Sequence, residues 1–164
     1  LPAYCLLKKF ADDAVVKPQE LFRLNRSCLP WLTAFALFAI YLLVGAYRLH
    51  GGLHIQPTFG IDSVITVLFV GITEEMVFRG WLLNVTYSDQ HKWLAIGANA
   101  VLFLMIHFPK WIMDSTFISN FTSLGFVCLL VLSVIFSLAF LKTKNLLLPI
   151  GLHMFWDLLM FLFY

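Results

Sequence analysis

Five apolar runs decide what this chain can become: Leu29 to Tyr47, Ile61 to Tyr87, Trp93 to Phe108, Phe121 to Leu141 and Leu146 to Tyr164. Each comes near the ~20 residues that an α-helix needs to cross the hydrocarbon core of a bilayer. In hydrocarbon every backbone N–H and C=O must be satisfied within the protein, so such runs fold as helices packed against one another. The predicted fold class is all-α, a multi-pass transmembrane helical bundle of about five spans. Composition agrees, with 61% of the 164 residues hydrophobic and 12% charged, against about 45–50% and 25% in soluble domains. The third run is the shortest, and Pro109 is expected to end it.

Residues 1–28 carry Lys8, Lys9, Lys17, Arg23 and Arg26 without a continuous apolar stretch. They read as a basic cytoplasmic or interfacial segment and not as a cleavable signal peptide. Within it, PQELFRL (Pro18 to Leu24) is expected to lie on the membrane surface as a short helix. Residues 29–60 then form the first span and its loop, and 61–164 the domain that carries the chemistry. The chain begins at Leu1 and not at methionine, so upstream residues, further spans included, are compatible with this division.

Short cytoplasmic loops are enriched in Lys and Arg. With the N-terminus inside, that side receives the five basic residues above together with Lys92, Lys142 and Lys144, and the outside only Arg48 and Lys110. A cytoplasmic N-terminus in a bacterial cell membrane is the expected setting. Trp31, Tyr47, Tyr87 and Trp93 fall near span ends, where amphipathic rings collect. A net charge of +2 is too small to suggest nucleic acid as a partner. Cys5, Cys28 and Cys128 are odd in number and far apart, which indicates neither a disulfide framework nor a metal knuckle.

Ionisable residues inside spans are costly, about 2.5–3.5 kcal/mol each at mid-bilayer, and so mark a site. The second run holds Glu74, Glu75 and Arg79, the third ends in His107, and the last holds His153 and Asp157. Glu75 with Arg79 and His153 with Asp157 are i,i+4 pairs that share a helix face. Glu74 is turned ~100° from Glu75 and can meet a different neighbour. At ~1.5 Å rise per residue, His153, Glu74 and Asp157 fall at comparable depths from one side, and His107 fits least well. These residue types serve proton transfer, water activation and metal binding.

"EEMVFR" (Glu74 to Arg79), "FLMIH" (Phe103 to His107) and "HMFWD" (His153 to Asp157) match E-E-x-x-x-R, F-x-x-x-H and H-x-x-x-N/D. In that order, on successive membrane helices, they resemble the CPBP (CAAX protease and bacteriocin-processing, Abi) family of intramembrane proteases. The resemblance covers roughly Ile61 to Tyr164 and departs from the CAAX endopeptidases at Asp157, where Asn is usual. It implies an intramembrane endopeptidase that hydrolyses a peptide bond by glutamate-activated water, of the CAAX-prenyl-endopeptidase or the bacteriocin-processing and self-immunity type. Glu74, with His107, is the implied general base, and His153 with Asp157 the implied stabiliser of the oxyanion. Glu75 and Arg79 form a structural pair beside them, and Phe103 supports the site by packing. The implied substrate is a membrane-associated protein or peptide, prenylated or not, met within the lipid bilayer.

A metalloprotease reading stands beside this one, with Glu74, His107 and His153 as ligands of a zinc whose fourth position holds water. It is the weaker, because H-E-x-x-H is absent and the three residues come from three helices. In span interiors Ser and Cys lack a paired base, which argues against a serine or cysteine nucleophile. Two rivals come from other classes: a catalytically silent family member that binds a partner such as a sensor kinase or a bacteriocin-related receptor, and a proton or ion transporter. The transporter is disfavoured because no two spans are interrupted in matching positions.

Overall fold

The computed structural model describes residues 2–23 and 25–164. Among them every regular element is helical. Helix α1 (Pro2–Lys9) and an irregular stretch lead through a 3₁₀ turn (Arg26–Trp31) into α2 (Leu32–His50), which stops at Gly51 in the left-handed conformation that a residue without Cβ adopts freely. The second span is one continuous helix in three parts: α3 (Ile61–Glu75), a π-helical stretch (Met76–Leu83) and the short α4 (Asn84–Thr86). Next come α5 (Lys92–Met105), the two short helices α6 (Phe108–Met113) and α7 (Phe117–Thr122), then α8 (Gly125–Thr143) and α9 (Leu147–Phe163).

Three helical stretches, Arg26–His50, Asp89–Met113 and Gly125–Thr143, are long and apolar enough to cross a membrane, and Leu147–Phe163 is a shorter apolar helix. With Ile61–Thr86, which carries the buried charges, these account for the five spans expected. Large side chains such as Leu37, Phe69, Leu94 and Val131 point outward. In an integral membrane protein such a surface meets lipid and not water.

Two expectations change. Pro109 does not end the third span: the helix breaks earlier, at Ile106 and His107, and Pro109 sits in the first turn of α6, where its missing N–H costs nothing. PQELFRL is not a surface helix. Pro18 to Phe22 form turns, Leu21 is fully buried and its carbonyl accepts from Leu146 N–H at 2.8 Å, while Leu24 lies outside the described residues. The side chain of Leu21 shares a core with Leu7, Val16, Met76, Leu83, Phe140 and Ile150. Burying that leucine outweighs what an interfacial helix would gain.

A second core joins α2, α8 and α9 through Phe38, Phe136, Leu152 and Trp156. Helices α3 and α9 approach closely at Gly71, where a Cβ would fall 2.4 Å from Met154 Cγ. Small residues permit such approach between membrane helices. Here it brings the glutamates of the second span against the histidine of the last.

Candidate active site

Helix α3 ends at Glu75, and the wider π-helical turn that follows carries Arg79. Both side chains are fully buried. Arg79 Nη1 donates to Glu75 Oε1 at 2.7 Å. Its Nη2 donates to the main-chain carbonyl of Ser133 on α8 at 3.0 Å, and also to the Ser133 hydroxyl. The guanidinium lies 4.6 Å from the Phe103 ring centroid and 5.4 Å from that of Phe136, so aromatic faces replace part of the lost hydration.

The same Glu75 oxygen reaches across to α9, 3.0 Å from His153 Nδ1. A carboxylate paired with arginine only accepts, so Nδ1 carries the hydrogen and the ring is held in one orientation. The other ring nitrogen, Nε2, lies 3.4 Å from Asp157 Oδ2 and 4.0 Å from Glu74 Oε2. Three carboxylates therefore surround one buried imidazole. Glu74 and Glu75, adjacent in sequence, meet the same histidine from its two nitrogens. Glu74 Oε2 is buried without a hydrogen-bond partner among the described residues, although 21% of the Glu74 side chain stays exposed.

His107 sits at the break between α5 and α6, and its Nδ1 lies 2.8 Å from the carbonyl of Phe103. A carbonyl cannot donate, so Nδ1 bears the hydrogen and Nε2 of the neutral ring keeps its lone pair. Phe103, 1% exposed, packs against both histidines, with centroid separations of 5.2 Å to His107 and 5.7 Å to His153. His107 and Asp157 line one cavity of about 560 Å³ together with Lys110, Trp111, Asn120 and Tyr164. Among the described residues no ion pair or hydrogen bond joins Glu74 to His107; the contact of Glu74 is with His153.

The donor set does not fit a tetrahedral zinc as it stands. Ligands at ~2.0–2.1 Å from one ion lie about 3.3 Å apart, whereas Glu74 Oε2 and His153 Nε2 are 4.0 Å apart. Among the described residues no three His, Cys, Asp or Glu side chains converge as metal ligands.

Sequence reasoning missed the polar groups that hold the charges. Ser133 gave no signal, because a serine in an apolar helix is common. Asn84 and Asn99 could have been found: each is an amide inside an apolar run, and both are buried. Asn99 Nδ2 donates to the Phe78 carbonyl at 2.8 Å, and Ser137 Oγ donates to its Oδ1 at 3.4 Å.

No curated protein and no solved structure matches the chain. A family model described as type II CAAX prenyl endopeptidase Rce1-like matches residues 56–159, a stretch that holds Glu74, Glu75, Arg79, His107, His153 and Asp157. By that match over more than half its length, the chain belongs to the type II CAAX prenyl endopeptidase Rce1-like family.

Proposed function

We propose that the protein is an intramembrane endopeptidase that hydrolyses a peptide bond of a membrane-associated protein substrate with water activated by Glu74. The observation that carries this reading is the buried, unpartnered Glu74 Oε2, 4.0 Å from His153 Nε2. Buried acceptors are almost always satisfied, so an orphan beside a histidine is suited to a transient donor such as water.

In this mechanism Glu74 takes a proton from water as the water oxygen bonds to the scissile carbonyl carbon. The carbonyl π electrons move to its oxygen, and His153, carrying a hydrogen on both nitrogens between Glu75 at Nδ1 and Asp157 at Nε2, stabilises that oxyanion through Nε2–H. Such a donor is worth more in a dry, preorganised site than in water. When the oxyanion collapses the C–N bond breaks, and the proton held by Glu74 passes to the leaving amine. Two products result, a new carboxylate and a new N-terminus. Asp157 and Glu75 hold the histidine from opposite sides, and His107 Nε2, a free acceptor, orients the water. The family supports a substrate of the CAAX prenyl type.

The test is hydrolysis in H₂¹⁸O by purified protein in liposomes, with a farnesylated CAAX peptide and its unprenylated counterpart. One ¹⁸O in the new carboxylate of a single-cut product supports the reading. No cleavage of either peptide by folded protein contradicts it.

A further inference from the structure

The N-terminal segment lies outside the family match, yet it is bonded to the helix that carries Glu74 and Glu75. The joint is Asn84, fully buried at the end of the π-helical stretch. Its Oδ1 accepts from Val16 N–H at 2.8 Å, and its Nδ2 donates to Val16 O at 2.9 Å. The main-chain carbonyl of Asn84 accepts from Val15 N–H at 3.0 Å. Val16 N–H can only donate and Val16 O can only accept, so the amide orientation is unambiguous.

The second Nδ2 hydrogen goes to Gly80 O at 3.1 Å. In an α-helix that carbonyl would take the main-chain N–H of residue 84, but here this N–H is spent on Trp81 O. The side chain thus adds a bond to a carbonyl inside the π-helical stretch. A π-helix of eight residues is unusual, since most are single turns. This one is pinned twice, from its own helix by Asn84 at Gly80 and from α5 by Asn99 at Phe78. Between those two carbonyls lies Arg79, which holds Glu75, which holds His153. Closing the stretch to α register would keep Arg79 and Glu75 on one helix face but turn the residues that follow, Asn84 included, by ~100° relative to α3.

We propose that Asn84 is a positioning residue of the active site, and that the Val15–Val16 segment, by clamping it, holds the π register and with it the seat of Arg79 between Glu75 and Ser133. The N-terminal segment is thereby a working part of the catalytic domain. This rests on the hydrolase reading only for its activity readout.

The test begins with native-state hydrogen exchange on the unaltered protein in detergent. The Val15 and Val16 amides open together with the amides of residues 76–83, with rates within about tenfold. A larger gap means independent opening and overturns the proposal. Val16→Pro removes one clamp donor while Val16→Ile keeps it, and Asn84→Asp keeps the acceptor but loses both Nδ2 donations. Val16→Pro and Asn84→Asp accelerate exchange at 76–83 and lower kcat at least ~10-fold with KM unchanged, and Val16→Ile does neither. Exchange that changes only within residues 2–23, or a raised KM with kcat retained, overturns it. The exchange results stand even for a protein that cleaves nothing, which separates this claim from the proposed function.

Discussion

Glu75 Oε1 is shared between Arg79 Nη1 at 2.7 Å and His153 Nδ1 at 3.0 Å, so one oxygen of a fully buried carboxylate joins the second span to the last. Glu75→Gln leaves Arg79 buried without its counter-charge. Breaking a buried pair costs about 3–5 kcal/mol, so the folded fraction drops. Glu75→Gln with Arg79→Met removes the stranded charge and recovers part of the fold. The recovered protein remains slow, because the His153 ring no longer has a carboxylate at Nδ1. Thermal unfolding in detergent beside cleavage rates checks both halves: full folding of Glu75→Gln alone contradicts the first, and wild-type turnover of the double variant the second.

Gly71 sets how near α3 and α9 can come. Gly71→Leu drives a side chain into Met154, whose Cγ already lies 2.4 Å from an ideal Cβ position. Overpacking of this kind costs about 1–3 kcal/mol, and the displacement also lengthens the Glu75–His153 contact. Activity therefore falls further than stability does. Parallel melting and cleavage assays on this variant measure the difference; equal losses contradict it.

Retained cleavage after dialysis against a strong chelator is expected, with well under one zinc per chain by elemental analysis. Activity lost to the chelator and restored by zinc contradicts the metal-free mechanism.

The three chain ends that meet at the N-terminal side give an expectation about sidedness. Val15 and Val16 bond Asn84, Leu21 bonds Leu146, and Asn25 Nδ2 donates to Thr143 O at 2.6 Å. The N-terminal segment, the second-to-third connection and the fourth-to-fifth connection thus share one face, which also carries Lys92, Lys142 and Lys144. We expect that face to be cytoplasmic. In a background without Cys5, Cys28 and Cys128, a cysteine at Ser88 should be labelled from the cytoplasm and one at Ser115 from outside. The reverse pattern contradicts this orientation.

The helical bundle was legible in the sequence because backbone satisfaction in lipid leaves few alternatives to long apolar helices. The ionisable cluster was legible because a charge in a span is costly enough to stand out. How the residues meet was not. The ~100° offset suggested that Glu74 and Glu75 face different neighbours, but the close approach at Gly71 brings both to His153. The orienting partner read for that histidine was Asp157; at the other ring nitrogen Glu75 makes the shorter contact. A π-helical register has no mark in hydrophobic periodicity, so neither Asn84 nor the docking of the N-terminal segment could be read from it.

The central claim is that Glu74 is the base. Glu74→Gln keeps the shape and hydrogen-bonding reach of the side chain and removes only its capacity to take a proton. It touches no ion pair as close as that of Glu75, so melting in detergent should barely shift. The direct measurement is single-turnover cleavage of a farnesylated peptide in liposomes by wild-type and Glu74→Gln protein. The account predicts a rate lower by about 10²–10⁴-fold with substrate binding intact, and no second change at Arg79 restores it. Cleavage by Glu74→Gln at the wild-type rate contradicts the account and removes the base from this position.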